Sequence, residues 1–201
     1  KGSNWFQWDY ASWCAIWMLY LVEFSDWDSQ SKIGNGFTSM SSASNSGGTD
    51  SMTYFTGRAA GSDGSTAVQY RHIENLWGNV LQWVDGINFN ESSLYVCTDP
   101  SKFADDTSTN YTYIGNKIAA GGYISKLNYL TSAPYAFAPG ESSGSTSTYV
   151  PDYHSYNSGQ HVLAVGGSWS DSLGAGLFYF RANYSSGSTS SYVGSRLLLI
   201  P

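Results

Sequence analysis

The run WCAIWMLYLVEF (Trp13–Phe24) constrains this chain more than any other feature. Tyr10, Trp13, Cys14, Trp17, Leu21 and Phe24 recur at three- and four-residue steps, which is helical spacing. Ile16, Met18 and Tyr20 add apolar surface on the other sides. The pattern predicts a helix from about Trp8 to Phe24, buried nearly all round by ordinary core packing. A helix of that kind needs a core to receive it. With 201 residues the chain is long enough to supply one in a single domain, residues 1–201.

Composition narrows the function classes. Apolar residues make up 41% of the chain, aromatics 16% and charged residues 12%, the last about half the usual share. Disorder needs few aromatics and high net charge, so this chain is expected to fold. The net charge is −6, and so few Lys and Arg argue against nucleic acid and against anionic membrane surfaces. No apolar run approaches the roughly 20 residues of a membrane span, so no membrane insertion is expected. A basic leader with a cleavage site is missing, and the sequence starts at Lys1. The expectation is therefore a C-terminal domain of something longer. Cys14 reads as a buried small hydrophobe and Cys97 as part of a strand; they could pair, but they make no disulfide framework and no zinc motif.

After the first helix, SKIGNGFTSMSSASNSGGTD reads as a long loop. YRHIENLWGNVLQWVDGI gives a second helical pattern, with Ile73, Leu76, Trp77, Val80 and Val84 on one face and Gly86 placed to end it. SLYVCTD, YTYIG and GGYISKL read as short strands. Glu141–Gly159 is a polar loop studded with Tyr. HVLAVGGSW and AGLFYFRAN are strands, Gly166 and Gly167 mark a bulge or close approach, and VGSRLLLI closes the chain. The sum is α+β: two helices early and a mostly antiparallel sheet late.

The segment Gly166–Arg196 suits neither a core nor an ordinary surface. Its charged residues are Asp171, Arg181 and Arg196, and the remainder is dominated by Ser, Gly, Tyr, Asn, Trp and Phe. Stiff amphipathic aromatics with adaptable small polar residues form the palette of antibody paratopes. Alternation along LFYFRANY puts Phe178, Phe180, Ala182 and Tyr184 on one face and Tyr179, Arg181 and Asn183 on the other. A bulge would break that parity at Tyr184. Trp169, Leu177 and Phe178 read as packing residues, and Tyr179, Arg181, Asn183 and Tyr184 as surface.

Three blocks in order carry a family resemblance: the aromatic helix running into LVEFSDWDSQSKIGNGF, then IENLWGNVLQWVDGI, then VGGSWSDSLGAGLFYFRAN with VGSRLLL. Together, from about Trp5 to Ile200, the chain resembles the C-type lectin-like fold in its formylglycine-generating-enzyme variant. Within it the chain is most similar to phage tail and receptor-binding proteins and to variable proteins of diversity-generating retroelements. The resemblance implies two helices flanking a small twisted sheet with long loops, and a ligand-binding face in residues 166–196. It implies a framework of Gly166, Gly167, Trp169, Ala175, Gly176, Phe178, Gly194 and Arg196. The candidate ligand-binding residues are Tyr153, His154, Tyr156, Ser168, Ser170, Asp171, Ser172, Leu173, Tyr179, Phe180, Arg181, Asn183 and Tyr184.

Other chemistries find less support. The formylglycine enzymes use a cysteine pair near the C-terminal strands, and GLFYFRANYSS holds none. WSD (Trp169–Asp171) occurs without the E-P-N or Q-P-D partner of a calcium-bridged sugar site. GESSG (Gly140–Gly144) matches a nucleophile elbow without the strand–turn–helix context. His72, expected on a helix face, His154 and His161 show no metal-ligand spacing, and the acid pairs Asp105–Asp106 and Asp26–Asp28 read as solvated loop residues. The expectation is a binding module without cofactor or metal. It would sit on a virion or, alternatively, a cell surface and recognise a host-surface protein or glycan. The alternatives are a structural domain of a phage tail or head, as a homotrimer or against other virion subunits, and, least supported, an enzyme.

Overall fold

The computed structural model describes residues 4–117, 121–129 and 131–199. Ile200, the last residue of the expected terminal strand, lies outside them. The fold is α+β with two helices and mostly antiparallel sheets. In chain order come β1 (Trp5–Gln7), α1 (Tyr10–Phe24), α2 (Ser29–Ile33), β2 (Gly57–Arg58), β3 (Val68–Tyr70), β4 (Ile73–Glu74), β5 (Leu81–Asn90) and β6 (Ser93–Val96). Then follow β7 (Thr112–Lys117), β8 (Gly122–Tyr123), β9 (Lys126–Tyr129), β10 (Phe137–Glu141), β11 (Tyr153–Tyr156), β12 (His161–Val165), β13 (Phe180–Tyr184), β14 (Val193–Ser195) and β15 (Leu197–Leu199). The Tyr-rich stretch expected as loop thus contains a strand, β11.

Helix α1 begins where the Asp9 carboxylate accepts from Ser12 N–H at 2.7 Å, an N-cap. It stops at Ser25, which turns left-handed (φ 52°) and donates its N–H to the Leu21 carbonyl. Tyr10, Trp13, Cys14, Trp17 and Tyr20 are buried. Near-complete burial is corrected: Met18 (36%), Leu19 (46%) and Val22 (84%) are exposed, and Ala15 with them. The reason is geometric. A single sheet packs on one side of the helix, so an apolar sequence all round is covered only there.

The second expected helix is also corrected. Residues 68–90 form β3, β4, a coiled turn and the ten-residue β5. Arg71 and His72 (φ 51° and 65°) are the two central residues of the β3–β4 hairpin, and a tight two-residue hairpin needs that backbone sign. Asn75, Gly78 and Asn79 are left-handed too, which no helix allows. Arg196 holds this turn: its half-buried guanidinium donates to the Glu74 and Asn75 carbonyls and to Gln82, and lies over the Trp8 ring. Gly86 sits inside β5 at φ 76°, where a Cβ would lie 2.6 Å from the Cys97 carbonyl oxygen. Leu76, Trp77 and Val84 are buried as a helical stripe would have them, but a turn and a strand bring them inward.

The largest sheet has eight strands, ordered β7-β6-β5-β12-β13-β11-β8, with β14 parallel beside β5. β11 and β13 also run parallel; the other pairs are antiparallel. One face packs Val84, Phe89, Leu94, Leu163, Val165, Phe180 and Ala182 into the core with α1. Rings interlock there: Trp17 lies 5.1 Å from Phe178, and Tyr10 6.3 Å from Phe180. Neither α1 nor α2 packs on the other face, which holds a small cluster of Leu81, Ala164 and Tyr179 bordered by Trp83, Tyr153, Tyr184, Tyr192 and Val193.

Trp17 both fills the core and donates its indole N–H to the Leu177 carbonyl at 2.7 Å. Trp17→Ala is expected to cost about 3–5 kcal/mol in urea unfolding. Trp17→Phe keeps most of the packing and should lose only about 1–3 kcal/mol, for the unpaired carbonyl. A Trp17→Phe variant as stable as the parent would show that the hydrogen bond contributes nothing.

Candidate ligand-binding face

After β12 the chain turns through Gly166 and Gly167 (φ 89° and 76°). A Cβ on Gly166 would lie 2.5 Å from the Leu76 carbonyl oxygen, so only glycine fits. The following loop is irregular yet largely buried, and buried backbone polar groups need partners. Neighbouring backbone supplies some, as where Trp169 N–H donates to the Asn79 carbonyl and Ser172 N–H to the Thr38 carbonyl (both 2.9 Å), and side chains supply others. The Gln30 amide donates to the Ser172 and Ala175 carbonyls (2.9 and 2.8 Å). Leu177 N–H donates to Ser29 Oγ (3.0 Å), and Phe178 N–H to Asp152 Oδ2 (2.7 Å). Asp171 Oδ2 accepts from the Ser168 N–H and hydroxyl, both at 2.7 Å.

From this frame β13 leaves with Phe180 and Ala182 toward the core and Arg181 outward. The β12–β13 register then shifts by one residue between Ala164↔Arg181 and Val162↔Tyr184. The bulge carries Tyr184 to the outer face, correcting its placement beside Phe180. Arg181 lies over the Tyr184 ring (4.8 Å to the centroid) and near Tyr192 (5.9 Å), and its Nε donates to Asn183 Oδ1 at 3.2 Å. Tyr184 meets Trp83 edge-on at 5.2 Å; farther along, Tyr123 meets Tyr153 at 5.3 Å. A cavity of about 460 Å³ opens here, lined by Tyr123, Tyr153, Ser155, Ser170, Asp171, Gly174, Tyr179 and Arg181.

The structure brings Tyr153, Ser170, Asp171 and Arg181 to this cavity, with Asn183 and Tyr184 beside it; Tyr179, expected at the surface, borders the cavity but is buried (3% exposed) in the cluster with Leu81 and Ala164. Ser172 and Leu173 are exposed on the adjoining turn. Four candidates are corrected. His154 and Phe180 are fully buried, and Tyr156 packs against the core, because alternation along β11 and β13 turns them inward. Ser168 is 2% exposed and serves the loop. The candidate set missed Tyr123 and Ser155 in the cavity and Trp83 and Tyr192 on its flank. Ser155 follows from Tyr153 by two-residue alternation. The others needed the strand order.

Burial pushes the Tyr179 and Tyr184 phenols above their ordinary pKa. Burial opposes the charge on Arg181, but the neighbouring Tyr179 and Tyr184 phenols and Asp171 outweigh it, so its pKa is raised and it stays cationic. A larger recess of about 700 Å³ is lined by His72, Glu74 and Arg196, among others. Its principal charges serve the fold: Glu74 accepts from Gly47 and Thr49, and Arg196 caps the 74–75 turn. His72 lies in the β3–β4 turn, not on a helix face. Cys14 and Cys97 are both buried and unpaired, and burial pushes the Cys14 thiol up to about 12. GESSG begins inside β10, with Gly140 and Glu141 in the strand, and no helix follows it. Among the described residues no helix is long and apolar enough to cross a membrane. No protein-family model and no curated protein matches the chain.

Asp152 is fully buried, and burial raises its pKa well above the carboxylate range, with Asp28 adding to the rise. The folded state keeps a proton that the unfolded chain loses above about pH 4. Its contribution to stability is therefore present below that pH and lost as pH climbs toward the folded value. Asp152→Asn keeps an acceptor for Phe178 N–H and has no proton to lose. Its stability, from urea unfolding at pH 4 to 8, should decline less with pH than the parent's. A parallel decline would show that Asp152 is not the group involved.

Proposed function

We propose that the chain is a ligand-recognition domain with the C-type lectin-like fold of the formylglycine-generating-enzyme type. It is displayed on a phage virion, or is a variable protein of a diversity-generating retroelement, and binds a host-surface protein or glycan. The observation that carries this reading is the face of the large sheet on which neither α1 nor α2 packs. There half-buried tyrosines, a tryptophan and an arginine surround an open polar cavity on a frame held from behind by side-chain hydrogen bonds. Rigid aromatics provide contact area at low entropic cost, and small polar neighbours adapt their hydrogen bonds. Enzyme chemistry is the weaker alternative: the Cys14 thiol is held protonated, and Asp171 is engaged with Ser168.

The test truncates groups that face the cavity without unpinning the loop. Tyr153→Ala with Arg181→Ala is expected to reduce binding of the labelled chain to a panel of bacterial cell envelopes at least tenfold. The unfolding midpoint should move by only a few degrees. Full binding by the folded double variant would sink the reading.

A second reading has one observation behind it: the exposed stripe of Ala15, Met18, Leu19 and Val22 along α1. Residues at these spacings share one helix face. Its acidic neighbour Glu23 is already paired with Arg71, so the stripe fits another copy of the chain in a tail or head assembly. Light scattering should then show a concentration-dependent oligomer that Leu19→Lys dissolves. A monomer at all concentrations removes this reading.

A further inference from the structure

The placement of the few cations indicates what the cavity takes. Lys32, Arg58, Arg71, Lys102 and Lys126 each have a carboxylate within 3.8 Å. Arg196 is half-buried and spends its guanidinium on the Glu74 and Asn75 carbonyls and Gln82. Arg181 is the one described basic side chain on the outer face, and no carboxylate of the fold pairs with it. Acids outnumber Lys and Arg by 15 to 9, so carboxylates are plentiful elsewhere. Two tyrosine rings and Asn183 hold the guanidinium, which lines the cavity. Asp171 acts on Arg181 from farther off in the same cavity, and a partly desolvated guanidinium with no carboxylate in direct contact gains from one whose two oxygens match its fork.

The rest of the lining specifies the body that carries this carboxylate. Tyr123 and Tyr153, both half-buried and packed edge-on against each other, offer aromatic surface, and the buried Tyr179 borders the cavity. Ser155 Oγ is buried with no partner in the fold, a cost that a ligand hydroxyl relieves. Asp171, bonded to Ser168 through Oδ2, adds a second acceptor. Among the described residues that line it, none is Leu, Ile, Val or Met, and the side chains are mostly aromatic or polar. Its volume, about 460 Å³, falls in the small-ligand range.

We propose that the ligand is a carboxylate-bearing saccharide. Arg181 holds the carboxylate, the tyrosine rings face the C–H side of the sugar, and Ser155 and Asp171 meet its hydroxyls. This rests on the reading of the outer face as the ligand site.

The experiment is calorimetry and saturation-transfer NMR on the intact chain at low salt. The probes are the methyl glycosides of N-acetylneuraminic acid and glucuronic acid, the methyl esters of both, and methyl glucoside. At least one acid is expected to bind, with its ester and the neutral glucoside at least tenfold weaker. Arg181→Gln should abolish that preference, Arg181→Lys should restore part of it, and Ser155→Ala should weaken every sugar that binds. Thermal unfolding confirms that each variant is folded. Equal binding of acid and ester, or undiminished acid binding by folded Arg181→Gln, overturns the proposal. If a peptide with a free C-terminal carboxylate binds through Arg181 and no sugar does, the saccharide falls and the ligand face stands. If no probe binds and the Tyr153→Ala/Arg181→Ala variant still attaches to envelopes, the ligand face itself is refuted.

Discussion

Everything on the outer face depends on how a buried, irregular loop satisfies its backbone. Residues 166–168 and 174–178 run inside the protein, on either side of an exposed turn, without a strand ladder or long helix to pair them. An amide or carbonyl buried there without a partner costs about 1–3 kcal/mol. The indole of Trp17, the hydroxyl of Ser29, the amide of Gln30 and the carboxyl of Asp152 each take one or two of these groups. Three of the four come from α1 and α2. The helices thus support β13 through discrete hydrogen bonds as well as through apolar packing, and the loop's course fixes where Arg181 emerges.

The sheet then sorts residues by parity and by one exception. On β11 and β13, Tyr153, Ser155 and Arg181 line the cavity while His154, Phe180 and Ala182 are buried toward the core. The β13 bulge inserts one residue and reverses the pattern at its end. Without it Tyr184 would compete with Phe180 for the core, and Arg181 would lose a ring beneath it. With it, aromatic groups run across several strands, from Trp83 on β5 to Tyr123 on β8.

What the sequence reveals follows from the range of the interactions. Helix α1 was legible because its period is local and its apolar residues are large. The strands at 93–96 and 161–165 were legible from β-branched and aromatic runs bounded by turn residues. Residues 70–87 misled because Ile73, Leu76, Trp77, Val80 and Val84 keep helical spacing, whereas left-handed Arg71 and His72 give no compositional sign. The face around Arg181, Asn183 and Tyr179 was visible in the residue palette. Tyr123 and Trp83 were not, because they join it only through strand neighbours far away in sequence. His154 was placed on the wrong side because its strand was read as loop.

The pairing of β1 with β15 has a mechanical consequence. Trp5 lies opposite Leu199, and Gln7 opposite Leu197, so the two strands enter and leave the fold side by side. A load drawn through the backbone at those two positions pulls the rungs apart one after another, like a zipper, instead of shearing them together. The ribbon would peel back toward Trp8 and Arg196 before force reached β5, β12 or β13. The outer face of the large sheet would stay intact at tensions that had already opened the doorway to the fold, and the peeled strands would act as a short elastic tether.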